Sequence, residues 1–313
     1  MPTFLPISYH RFWTCFTRLG QGAGILLFLS SISFAKGICH DFFVKDKIVV
    51  YHDVRQDAKS RYIISRSDKK MAKKVLRDLA VLNQHLNPKY KTHSVQILFS
   101  DRVEWQYDID SQTIDFLLWH KNSKHRQMRK IMGAGALHEY GHHLITSMQK
   151  SQGFFEITMR DETVYLHNIA VQEAVSDLVA VVFYANAKAM DMTILEGKKD
   201  FYQLRDFTFS FDEAHFQRWF KFQERGLHAF DPYYYFKPFL HQFWQVYGEK
   251  IKAMDTSSRA KVIEALLDSV KPYLSSRQHV YKNANTDGKF NDAVEDNITF
   301  MQIVKEQIAA KFH

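Results

Sequence analysis

The stretch from Arg129 to Met148 constrains the fold more than any other part of the chain. Ile131-Met132-Gly133-Ala134-Gly135-Ala136-Leu137 leads into it and Leu144-Ile145-Thr146-Ser147-Met148 closes it, a pattern that predicts an apolar helix long enough to be buried. In its middle stand His138-Glu139-Tyr140-Gly141-His142-His143. Imidazoles and a carboxylate in such a helix are costly unless a partner satisfies them. The competing reading is a helix that turns these groups to solvent. Positions i and i+4 lie one above the other, so His138 and His142 can reach a single ion while Glu139 points to water held beside it. The H-E-x-x-H spacing therefore encodes two zinc ligands and a general base for hydrolysis. His143, about 100° round the helix from His142, reads as a supporting or surface residue and not as a ligand.

A catalytic zinc site needs a third protein ligand and an open position. The metzincin continuation would place Gly at 145 and His at 148, but the chain has Ile145 and Met148, which excludes that class. Downstream, Val171-Gln172-Glu173-Ala174-Val175-Ser176-Asp177-Leu178-Val179-Ala180 predicts a second apolar helix, with Glu173 and Asp177 sharing one face. Without the first motif these acids would be read as favouring a helix dipole. Together the two segments resemble the gluzincin metallopeptidases, in particular the thermolysin-like group with its Glu-Ala-x-Ser-Asp helix. The resemblance implies that His138, His142 and Glu173 bind Zn²⁺, that Glu139 is the base, and that Asp177 orients His138. It covers about a fifth of the chain. The interval between His142 and Glu173 is longer than in thermolysin itself, and residues 151–166 are its extra length, a candidate flap or small loop.

A third segment matches more loosely. Gly226-Leu227-His228-Ala229-Phe230-Asp231-Pro232-Tyr233-Tyr234-Tyr235 precedes the aromatic helical run Phe236 to Trp244. In thermolysin-like gluzincins a His or Tyr just before such a helix donates a hydrogen bond to the oxyanion of the tetrahedral intermediate. His228 fits by its Gly-Leu-His context, and Tyr233 by its place after Asp231-Pro232. Tyr233 is favoured slightly, because a phenol stays protonated across the working pH range. The competing reading is an aromatic core around Pro232 and Pro238.

The first 35 residues hold Arg11 and Arg18, no Asp, Glu or Lys, and the apolar run Gly24 to Ala35. They read as a signal peptide cut after Ala35, in preference to an uncleaved anchor, since the run is short of the roughly 20 residues a span needs. A secreted or periplasmic protein is expected. Cleavage takes the formal net charge from +8 to about +6 and removes Cys15, leaving Cys39 without an intramolecular partner. Stability must then come from a core, and 46% hydrophobic and 15% aromatic residues supply the material. Lys69, Lys70, Lys73, Lys74 and Arg77, and the cluster from Lys121 to Lys130, lack any nucleic-acid reading motif and are read as solvated helix faces. Attraction to an acidic envelope surface is compatible with them.

Strands are predicted at 47–52, 62–65, 95–99 and 113–119, with an amphipathic helix over 68–86 ending before Asn87-Pro88. The expected class is α+β: a small mixed β-sheet lobe over 36–149 that carries the zinc-binding helix, then a mainly helical lobe over 150–313. The resemblance implies a cleft between them and an edge strand that binds the substrate backbone, for which 113–119 is the candidate, with an ordinary interior strand as the alternative. Residues 283–292 resemble the front of a calcium loop, but Val294 stands where a bidentate carboxylate belongs, so a polar turn is preferred. The expected activity is zinc-dependent endopeptidase, with a protein or peptide substrate, no nucleic acid, and a monomeric state. The contrasting reading is a non-catalytic envelope-binding protein with a retained metal site.

Overall fold

A computed structural model describes residues 40–45, 48–53, 66–90, 94–100, 106–117, 125–155, 162–190, 205–208, 235–283 and 293–313. Residues Cys39–His313 form one compact unit. Its strands are β1 (His40–Lys45), β2 (Ile48–Asp53), β3 (Val95–Ser100), β4 (Gln106–Asp108) and β5 (Thr113–Leu117). The helices are α1 (Arg66–His85), α2 (His125–Ser151), α3 (Glu162–Tyr184), α4 (Lys237–Ala253), α5 (Thr256–Asn283) and α6 (Ala293–Phe312). The result is α+β and mostly helical, with one small mixed sheet. Among the described residues no helix is long and apolar enough to cross a membrane.

The sheet runs in the order β1-β2-β3-β5-β4. β2, β3 and β5 are mutually parallel, and β1 and β4 lie antiparallel on the two edges. This corrects one expectation: β5 is an interior strand, bonded on both sides, and the edge beside it is β4. With only Gln106-Tyr107-Asp108, β4 is too short to show the alternation by which strands are read from sequence. The turn that follows is built by Asp108, whose Oδ1 accepts hydrogen bonds from the backbone nitrogens of Asp110 at 2.9 Å and Ser111 at 3.0 Å. The predicted strand 62–65 lies outside the described residues.

Helix α1 keeps Lys69, Lys70, Lys73 and Arg77 exposed and buries Met71, Ala72, Val75, Leu79 and Leu82. Helix α2 is different, since nearly every residue from Gly133 to Gln149 is buried. The helix packs on α1, α3, α5 and the β4–β5 edge of the sheet, so its Gly133–Gln149 stretch has almost no face for water. It stops at Gly153, whose positive φ of 65° suits glycine, while Phe154 N bonds back to Gln149 O at 2.9 Å. Helix α3 is likewise buried through most of Ala170–Val182 and packs on both α2 and α5.

The start of α4 is locked into α3, α5 and α6 by buried polar groups. Asp296 accepts a short hydrogen bond from the Tyr235 hydroxyl and pairs closely with Arg277, which also reaches Glu295 at 3.0 Å. Asn297 accepts from Phe239 N at 2.9 Å and donates to Tyr235 O at 2.8 Å. His167 of α3 lies 3.2 Å from the Tyr235 hydroxyl. Around this lock Phe236, Phe239, Tyr273 and Phe300 pack ring against ring. Arg277→Met should destabilise the fold by about 3–5 kcal/mol, because the buried Asp296 carboxyl is left without its guanidinium partner. Arg277→Met combined with Asp296→Leu should recover most of that loss in chemical denaturation, and a double variant no more stable than the single would count against the pairing.

Candidate metal centre

Helices α2 and α3 bring together the residues that the two motifs singled out. His138 Nε2 lies 3.2 Å from His142 Nε2 and 3.2 Å from Glu173 Oε2, and His142 Nε2 lies 3.5 Å from Glu173 Oε1. Donors placed tetrahedrally round an ion at bond lengths near 2.1 Å stand about 3.4 Å from one another. The two contacts of Glu173 use different carboxylate oxygens, and one ligand atom from each of the three residues lies within 4.8 Å of the other two, a span that one ion can bridge. They are the one His/Cys/Asp/Glu group among the described residues with metal-holding geometry.

The other ring nitrogens decide what faces the centre. His138 Nδ1 is 2.7 Å from Asp177 Oδ1, and His142 Nδ1 is 3.3 Å from Gln172 Oε1. Both oxygens are acceptors, so in the neutral rings each Nδ1 carries the proton and each Nε2 turns a lone pair inward. Two imidazole lone pairs and a carboxylate then converge within contact distance, an arrangement that repels itself unless a cation stands among them. Burial alone would lower the basicity of His138. Its hydrogen bonds to the carboxylates of Asp177 and Glu173, and their negative charge, outweigh it and push the imidazole pKa up to about 10. Burial likewise opposes ionisation of Glu173, but the two histidines hold its carboxyl well below the usual range. A proton and a metal ion therefore compete for the same place.

Arg205 adds a fixed positive charge behind the acids, with Nε 3.3 Å from Asp177 and Nη2 3.9 Å from Glu173. His138 and Asp177 are almost wholly enclosed, at 5% side-chain exposure each, whereas His142 and Glu173 keep 13%, so solvent reaches the centre from their side. Glu139, buried beside His138, is not among the three metal-holding residues.

His228 and Tyr233 lie outside the described residues, as does the 284–292 part of the calcium-like stretch. His143 is buried and not on the surface. Its Nδ1 meets the Tyr107 hydroxyl of β4 at 3.1 Å, and its ring stacks on Tyr140, whose hydroxyl donates to Asn83 at 3.2 Å. The ligand helix is thereby tied to the edge strand. Arg205, Gln172 and Tyr107 escaped the sequence reading. Only Gln172 had a local signal, its place next to Glu173, while Arg205 and Tyr107 arrive through long-range folding. No family model matches the chain, and neither curated proteins nor solved structures include one that matches it.

In the metal-free protein His138 has a folded pKa raised above its unfolded value of about 6.5. The stability it contributes should be full below about pH 6.5 and lost as pH rises toward 10. Metal uptake must displace that proton, so affinity for added Zn²⁺ or Co²⁺ should climb by up to about tenfold per pH unit over the same range. Competition titrations against a chelator at several pH values would measure this, and a flat profile would remove the shared proton.

Proposed function

We propose that the chain is a zinc-dependent endopeptidase of gluzincin type. The observation that carries the reading is the triangle of His138, His142 and Glu173 donor atoms with Asp177 on the outer nitrogen of His138. Two histidines and one carboxylate leave a position for substrate, whereas a closed structural zinc site takes four protein ligands.

When bound, zinc supplies Lewis-acid polarisation of the scissile carbonyl and of the attacking water. The remaining work belongs to the chain. Asp177 fixes the tautomer and direction of His138, and Gln172 does the same for His142. Glu139 takes the proton from the water that adds to the amide carbon and passes it to the leaving nitrogen as the C–N bond breaks. The oxyanion that forms between these steps requires a donor, and His228 and Tyr233 are the candidates. The short strand β4, packed against α2, is the last strand of the sheet among the described residues, and it is the candidate to which an extended peptide would add as a further strand. Secretion or periplasmic residence, with residues 1–35 removed as a signal, belongs to the same reading.

Glu139→Gln should keep about one zinc per chain and lose roughly a thousandfold in turnover on a peptide library, within the range attributed to a positioned base. Undiminished cleavage would sink the assignment. Glu173→Ala should abolish tight zinc binding, whereas Asp177→Asn should weaken it by about 10- to 100-fold. A natural chain that binds zinc stoichiometrically yet cleaves no peptide would favour the non-catalytic, envelope-binding alternative.

A further inference from the structure

We propose that Gly141 is a positioning residue for the metal centre: its missing side chain lets α2 and α3 approach closely enough at Ser176 for ligands from both helices to meet one ion. The inference rests on the metal reading above and goes beyond the ligands themselves. A Cβ placed on Gly141 would lie 2.8 Å from the Cα of Ser176, 2.8 Å from its Oγ and 3.0 Å from its Cβ. The first of these atoms is backbone and cannot rotate away. Gly133 and Gly248, by contrast, are crowded only by side chains. Gly141 is not among the glycines with positive φ, so the position requires space and not conformational freedom.

The place of this approach gives it a function. Gly141 follows His138 by three residues and precedes His142 by one; Ser176 stands in the same relation to Glu173 and Asp177. The tight contact of Gly141 with Ser176 therefore falls between the paired site residues of each helix. Ordinary van der Waals separation begins near 3.4 Å, so an alanine would have to open the crossing by about 0.6 Å. Metal–ligand distances tolerate about 0.2 Å. The site would feel the change before the fold does. Glycine is otherwise a poor choice here, weaker in a helix interior than alanine by about 1 kcal/mol.

The test compares zinc affinity, by chelator competition on folded protein, in the natural chain, Gly141→Ala, Gly141→Ala with Ser176→Gly, and the control Val179→Ala. Val179 is a wholly buried α3 residue outside the site, so its truncation should lower Tm and leave affinity unchanged. Gly141→Ala should weaken zinc by tenfold or more, and removing the facing Ser176 side chain should recover part of the loss. Affinity in Gly141→Ala within about threefold of the natural chain would overturn the proposal, as would a double variant no tighter than the single. Where Gly141→Ala does not fold, the double variant carries the reading: the alanine methyl still meets the backbone of residue 176, so the double variant should bind more weakly than the natural chain, and equal affinity would overturn the proposal. A natural chain that takes up no zinc would overturn the metal reading and this proposal with it, an outcome distinct from the loss of this proposal alone.

Discussion

The structure depends on the pairing of two helices whose middle stretches, Gly133–Gln149 and Ala170–Val182, are buried almost all round and yet carry polar side chains where they meet. α2 and α3 place His138, His142, Gln172, Glu173 and Asp177 where water cannot hydrate them freely. In an apolar interior each such group costs stability unless it is paired, and here the pairs are made with one another. What remains after Asp177, Gln172 and Arg205 are satisfied is the inward set of lone pairs. The polarity between α2 and α3 thus converges on the His138–His142–Glu173 group, and a single cation would neutralise it.

The surrounding fold keeps that point in register. α1 and α5 pack on α2, α5 packs on α3, and the Arg277–Asp296–Tyr235 lock holds the entry to α4 against α3, α5 and α6. On the other side, His143 grips Tyr107 of the edge strand, and Lys150 reaches the carbonyl of Ile109 at 3.3 Å in the turn beyond it. The helix that supplies two ligands is therefore also the helix that carries the edge of the sheet. Movement of α2 relative to β4 would change the distance between the metal centre and this strand together with the ligand geometry.

Much of this was legible in the sequence wherever the signal was local and periodic. His138 and His142 share a face because of a four-residue spacing, and Glu173 and Asp177 do so for the same reason. α1 was readable from its alternation of lysines with buried apolar residues and from Asn87-Pro88 at its end. The apolar pattern marks α3 as helix only over Val171–Ala180, within an observed helix of 23 residues. What escaped depends on packing between segments distant along the chain: β4 is held by its partner β5 and by the turn at Asp108, and Arg205 approaches Asp177 across a long separation. His143 illustrates the limit best. The helical angle separates it from the ligand face, but whether that second face meets water or a tyrosine is decided by the sheet.

The close approach at Gly141 ties these levels together. A sequence reading treats the two middle positions of H-E-x-x-H as free, since neither projects toward the metal. In this fold neither is free: Tyr140 bonds Asn83 of α1, and Gly141 leaves the room that Ser176 of α3 occupies. The residues between the ligands thus hold α2 against one helix on each side, and the spacing of those helices sets where Glu173 stands. The geometry of the centre is therefore a property of the packed helices as much as of the ligand side chains. A substitution at either middle position alters it through the backbone, without touching a donor atom.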